Sequence, residues 1–403
     1  MSSKSSSSSR SPWNEDDKNA GTGSIDLWLA GSAFTLLLIG LVMVYSASSP
    51  IALRKFDDPT HYALRNAIFA LTGLIAMAGL SRLPIPTIRT LSRTAFWVVI
   101  FLLFLVFVPG IGLEGGGARR WINLRVFTLQ PSEPFKVVLT LYVSHLLALE
   151  PQRVRYFKEG LLPLLGLFGL GAALLMAEPD FGATLICGVV VMSVIFIAGM
   201  PLSWIAAVAA AAIPLAAAGV IMAPYRFRRV TSFLDPWDDP LNSDFQLVQS
   251  LLSFGSGGVM GAGLGEGQQK QFYLPESHTD FIFAVIGEEL GLFWTLTIIG
   301  LFTLLVWRAM LIARHTQDHF VRLSTVGLTM LIASQAIANM AVVMGLLPPK
   351  GLTLPLVSYG GSSMVITLSS IGLLLAFSRT VPASARNGGG NGSGGNASAR
   401  ESS

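Results

Sequence analysis

The stretch Leu274–Gly291, LPESHTDFIFAVIGEELG, leads into a run from Phe281, FIFAVIGEELGLFWTLTIIGLFTLLVW, that is apolar for longer than a bilayer is thick. Three carboxylates stand at its entrance: Asp280 at the head, Glu288 and Glu289 two to three turns inside. At 1.5 Å and 100° per residue, Glu288 lies about 12 Å along the axis from Asp280 and about 80° around it. Glu289 points nearly opposite Asp280. The three therefore cannot cluster on their own helix. Ionisable groups at the centre of a membrane helix cost about 2.5–3.5 kcal/mol each on insertion scales. At least one glutamate is thus expected to meet a cation from another helix, with Lys136 the nearest candidate. Glu133, Lys136, Glu288 and Glu289 read as ion pairs that fix helix packing. Asp280 sits at the water boundary, where two readings stay open. It caps the helix by accepting backbone N–H bonds, or it is held there for chemistry.

Working outward, the whole chain has this character. Hydrophobic residues make up 52% and charged residues only 12%, against roughly 25% charged in an ordinary soluble domain. With a mean hydropathy of +0.61, the expected fold is all-α and polytopic in a membrane. Apolar runs place ten spans, near 27–47, 63–80, 94–110, 133–149, 161–177, 183–199, 203–223, 281–306, 323–346 and 362–378. Residues 25–381 form the membrane body. The polar tails 1–24 and 382–403 lack the apolar content to pack a core, and the first carries no apolar segment of a cleavable signal. Cys187 is the single cysteine, so no internal disulfide exists. No internal repeat is evident.

Lys and Arg in short loops orient the spans. With the N-terminus cytoplasmic, Arg82, Arg89, Arg93, Arg153, Arg155, Lys158, Arg314 and Arg322 fall inside, together with Arg308, Arg10, Arg379 and Arg386. An even span count puts the C-terminus inside as well. Against the rule, Arg119, Arg120, Arg125, Arg226, Arg228, Arg229, Lys270 and Lys350 fall outside. Outward cations beside a bilayer suit an anionic headgroup or lipid phosphate, although the long loop at about 224–280 also tolerates charge.

Three outer segments are organised. GLEGGGARRWINLRVFTLQPSEPFK sets arginines around Trp121 and runs into Glu133 and Lys136. PPKGLTLPLVSYGGSS carries Lys350, Ser358, Tyr359 and paired glycines that would let backbone approach a ligand. The long loop holds LVQSLLSF, an amphipathic segment suited to a membrane surface. Its GAGLGEG resembles a nucleotide loop, but no strand precedes it, and a flexible turn is expected.

Together, LPESHTDFIFAVIGEELG, PYRFRRVTSFLDPWDDP, QPSEPFK, AEPDFG and PPKGLTLPLVSYGGSS resemble the SEDS family of bacterial cell-wall polymerases, the division branch more than the elongation branch. The likeness covers roughly residues 25–380. It implies a ten-span peptidoglycan glycosyltransferase of the plasma membrane, acting at the division septum on lipid II and the nascent glycan strand. The implied partners are a class B penicillin-binding protein, the FtsQ–FtsL–FtsB group and FtsN, with no nucleic acid. By the same resemblance Asp280 takes the place of the essential acid, Trp121 that of the outer-loop tryptophan and Lys136 that of the QPSE-motif lysine. Pro134, PPK and EPD depart from the family's usual aliphatic residue, PTK and QPD; Pro134 is tolerated because it falls in a helix's first turn.

Such a reaction needs a base for the acceptor hydroxyl and positive charge for the departing diphosphate. Asp280 is the candidate base, and Arg119, Arg120, Arg226, Arg228, Arg229 and Lys350 are the candidate diphosphate ligands, with Trp121, Ser358 and Tyr359 beside them. No cofactor is implied. A divalent cation is compatible with the chemistry, but no set of oxygen ligands in the sequence demands one. A lipid II flippase and a division scaffold without bond chemistry remain the alternatives.

Overall fold

The computed structural model describes residues 23–115, 118–123, 128–238, 245–268, 277–348 and 351–381. Helices stand at all ten expected positions: α1 (Leu27–Phe56), α2 (His61–Leu80), α3 (Ile85–Leu105), α4 (Ser132–Leu149), α5 (Leu162–Ala177), α6 (Phe181–Ile197), α7 (Leu202–Ile221), α10 (Ile282–His315), α11 (His319–Val343) and α12 (Gly361–Ser378). Eight helices among the described residues are long and apolar enough to cross a membrane. The remaining two positions hold α6, which is apolar but 17 residues long, and α4, which carries Glu133, Lys136 and His145. The molecule is an all-α, multi-pass membrane protein. Its main core joins α1, α10, α11 and α12, and a second cluster joins α3, α4 and α6. By contrast α7 buries no residue in the bundle.

The expected long loop is partly helical. Its first part is α8 (Pro224–Leu234), and LVQSLLSF lies on α9 (Phe245–Gly257), packed against α10 where Phe254 meets Phe283 and Gly257 meets Gly287. The segment around Trp121 folds as a small antiparallel sheet, β1 (Gly112–Gly115), β2 (Ala118–Asn123) and β3 (Thr128–Leu129), ordered β1-β2-β3.

The opening stretch holds a correction. The span at 281–306 is not one continuous helix, because α10 breaks at Gly291, where φ is 75° and ψ is −171°. That conformation is essentially confined to glycine. Carbonyls and N–H groups orphaned by a helix break must find partners inside a membrane, and the glycine-rich segment after α9 supplies them. Ala262 N–H donates to the Glu288 carbonyl (2.9 Å) and Gly263 N–H to that of Glu289 (3.0 Å). In return, Leu292 N–H donates to the Gly258 carbonyl (3.0 Å) and Phe293 N–H to that of Val259 (3.3 Å). GAGLGEG is therefore a plug in a broken helix, where a flexible turn was expected. Its glycines matter for the same reason: a Cβ on Gly261 would collide with the backbone of Glu289 and Leu290.

At the opposite end of the bundle two ion pairs tie elements together. Arg308, within α10, reaches Asp26 at 2.6 Å, and both are buried. Asp26 also caps α1 by accepting from Leu29 N–H, and its own N–H donates to Ser378 of α12. Arg89 of α3 meets Asp318, the N-cap of α11, at 2.9 Å.

Candidate active site

Helix ends from α2, α4, α6, α11 and α12, with the β-sheet and two connecting turns, converge on a cavity of about 420 Å³. All of them come from the end of the bundle expected to face outward. Arg65 and Phe69 descend from α2, Arg120 and Trp121 from β2, and Glu133 and Lys136 from the first turn of α4. Asp180 enters from the α5–α6 corner, Thr279 and Asp280 from the turn before α10, and Gln335 from α11. Gly351–Thr353 and Tyr359–Ser363 close the remaining side.

Asp280 lies in a turn that ends one residue before the cap. Phe281 is the N-cap of α10 and makes no side-chain cap bond. Of the two readings left open, capping is thus not the role the geometry gives to Asp280. Its backbone carbonyl accepts from Asn339 Nδ2 at 2.7 Å, and the same amide group bonds the Leu352 carbonyl. Asn339 therefore pins the Asp280 turn to the 351–353 strand of chain. A Cβ at Gly351 would stand 3.3 Å from Asp280 Oδ2, so glycine is what leaves the carboxylate room there.

Lys136 corrects a second expectation. Its Nζ lies 2.8 Å from Glu133 Oε1 on its own helix, not on Glu288 or Glu289, and the pair faces the cavity. An i, i+3 spacing on α4 suffices to join them. Glu288 Oε1 accepts from Gln268 N–H at 2.7 Å. Glu289 Oε2 accepts from Ser46 Oγ at 2.6 Å and Gly265 N–H at 3.2 Å. Both glutamates keep a structural place, and among the described residues backbone N–H groups of the plug and a serine hydroxyl donate to them. Donors of this kind stabilise a carboxylate by charge-assisted hydrogen bonds.

The arginines divide. Arg120 Nε donates to the Glu178 carbonyl (2.9 Å) and its Nη2 to that of Pro179 (2.8 Å), which fixes the guanidinium in the cavity wall. Arg119 alternates to the other face of β2, exposed and 4.0 Å from Glu114, away from the cavity. Arg229 is exposed on α8 and does not line it either. The side chains of Arg226 and Arg228, and Lys350 as a whole, lie outside the described residues. Ser358 is buried beside the site and accepts from Leu354 N–H at 2.8 Å, which braces the turn without lining the cavity. Tyr359 does line it. Its N–H donates to the His278 carbonyl at 2.9 Å, and its ring packs on Tyr62 and His278. Burial pushes the Tyr359 phenol above its ordinary value, opposed by Arg65 and aided by Tyr62.

Sequence reasoning missed Arg65, Gln130, Asp180 and Gln335. Arg65 carried a usable signal, a lone cation in the outer turn of an apolar helix. Asp180 was visible only as part of a short corner, where it accepts from Ala183 N–H at 3.0 Å and caps α6. Among the described residues no group of three or more His, Cys, Asp or Glu side chains is placed to hold a metal.

Comparisons with known proteins agree with this arrangement. The family model described as FTSW_RODA_SPOVE, cell cycle protein, matches residues 27–382. A Geobacter sulfurreducens protein named probable peptidoglycan glycosyltransferase FtsW is 44% identical over 353 residues, covering 88% of this chain and 95% of the relative. Stage V sporulation protein E of Bacillus subtilis is 41% identical, covering 88% and 97%. Among solved structures, a chain of a peptidoglycan synthase complex that coordinates polymerization and crosslinking is similar, with a TM-score of 0.72, 30% identity, and 88% and 98% coverage. The rod shape determining protein RodA of Thermus thermophilus gives a TM-score of 0.64 at 28% identity, covering 88% and 97%. A cavity built from the family's motifs and a match along the whole membrane body lead to one conclusion: the chain belongs to the SEDS family of FtsW, RodA and SpoVE, and resembles its FtsW members.

Proposed function

We propose that this protein is a peptidoglycan glycosyltransferase that polymerises lipid II into β-1,4 glycan strands for the septal wall, with Asp280 as the general base. The observation that carries the assignment is the placement of the Asp280 carboxylate in one cavity with Arg65, Arg120 and Lys136. The names of its FtsW relatives support the same activity.

The chemistry follows from the charges. The acceptor sugar's 4-hydroxyl attacks C1 of the donor sugar as Asp280 takes its proton. The new C1–O4 bond forms as the bond from C1 to the diphosphate oxygen breaks, and that electron pair leaves with the diphosphate. Attack from the face opposite an α-linked diphosphate inverts C1 and gives the β linkage. Negative charge then builds on the diphosphate, where preorganised cations act most strongly. Arg120 still has N–H groups beyond the two that hold carbonyls, and Lys136 has two beyond the one directed at Glu133. These donors and Arg65 are the diphosphate ligands we assign.

All ten helices at the expected positions cross the plasma membrane in this reading, with both termini cytoplasmic and the cavity outward. A class B penicillin-binding protein is the crosslinking partner, and the similar chain from a synthase complex joining polymerization to crosslinking supports it. FtsQ–FtsL–FtsB and FtsN are the further division partners.

Purified protein with its penicillin-binding partner, given labelled lipid II, should make long glycan chains. Asp280→Asn should slow this by about 10²–10⁴-fold, the usual worth of a general base. Undiminished polymer from the variant would end the assignment of Asp280. Lipid changing leaflet with no polymer from the native protein would end the enzymatic reading and favour a flippase.

A further inference from the structure

The α5–α6 corner is three residues long, Glu178–Asp180, and it forms part of the wall of the active cavity. Asp180 is held by hydrogen bonds: Oδ1 accepts from Ala183 N–H at 3.0 Å and Oδ2 from Gln130 Nε2 at 3.5 Å. Its neighbour Glu178 is different. The Glu178 residue is 1% exposed, and among the described residues neither carboxyl oxygen has a hydrogen-bond partner. Arg120, the cation at the corner, spends two of its donors on the backbone carbonyls of Glu178 and Pro179 instead of the carboxyl group. An ionised carboxylate buried without a partner is costly, and a group in that position takes up a proton instead.

We propose that Glu178 is a proton-operated positioning residue. As the neutral acid it lets the corner close on Arg120 with Asp180 in the cavity wall; as the carboxylate it repels Asp180 and pulls Arg120 away from its carbonyls. It touches no reacting atom and acts through those two neighbours. The charged groups that bear on it are Asp180, from the start of α6, and Arg120, from β2. Burial is the first cause that pushes its carboxyl up to about 8, Asp180 adds to it, and Arg120 opposes it. The folded protein therefore holds this proton more tightly than the unfolded chain. Its contribution to stability declines as pH rises from the ordinary carboxyl range to about 8. The competent corner itself is lost as pH rises through about 8.

The test is Glu178→Gln, which has the same shape and cannot ionise. This inference rests on the glycosyltransferase reading for one measurement only. In the polymerisation assay the native rate should fall about tenfold from pH 7 to pH 9, the loss of neutral acid for a group titrating near 8. The variant should match the native rate at pH 7 within about twofold and hold it at pH 9. Thermal unfolding of the purified protein in detergent supplies the second measurement. From pH 5 to pH 8 the native melting temperature should drop relative to that of the variant. This arm reads the corner whether or not the protein polymerises anything, so a failed activity reading leaves it intact. An equal alkaline decline in both proteins, a native rate that does not fall, a variant inactive at pH 7, or parallel melting curves would each overturn the proposal.

Discussion

Lys136 shows how one residue acquires two meanings. It is 3% exposed and bonded to Glu133, which makes it a structural pair by any local measure. Yet the pair lies in the cavity that holds Asp280, where the proposed mechanism gives a cation the leaving diphosphate to stabilise. Stability and activity can be separated by substitution. Lys136→Met leaves the partly buried Glu133 without its partner, and breaking a fully buried pair typically costs about 3–5 kcal/mol, an upper bound here. The double change Glu133→Gln with Lys136→Met removes both charges and should recover most of that loss in thermal unfolding. Polymerisation should stay low in both, by tenfold or more. A double variant with normal rate would return Lys136 to a purely structural role.

At the scale of elements, the broken α10 is the feature with most consequence. Its first half, from Ile282 to Leu290, starts one residue beyond the Asp280 turn and ends where the plug crosses it. The plug, Glu288 and Glu289 hold that half-helix from below, and Asn339 holds the turn above. The orientation of the carboxylate thus depends on contacts far along the chain. Gly291→Ala should cost at least about 1–3 kcal/mol from backbone strain, with more from collision with the backbone at Gly261 and Val259. Gly300→Ala, nine residues on in the same helix, meets nothing within 4 Å and should be neutral or slightly stabilising. Melting curves of the two variants side by side decide this. Equal curves would mean that the break is not under constraint.

For the whole molecule the first matter is orientation, which the ten-span reading makes testable. In a Cys187→Ala background, Ser5→Cys should react with an impermeant maleimide only after cells are opened, and Asp238→Cys should react in intact cells. The reverse pattern would invert the topology. Composition and apolar run length by themselves determined a helical membrane body and the position of every long helix. In lipid, backbone polar groups must be satisfied within the segment, so local hydropathy is enough. The family motifs likewise marked Asp280, Trp121 and Lys136 without a structure. Tertiary packing alone decided which charges meet. The sequence left Lys136 nearest to Glu288 and Glu289, whereas helix geometry turned it to Glu133. Strand alternation sent Arg119 outward and Arg120 into the wall, and Arg65 and Asp180 joined the cavity from helices remote in the chain. The break at Gly291 was hidden for the same reason: an apolar run reports that a segment avoids water, whereas a kink exists only because another segment supplies the hydrogen bonds that it gives up.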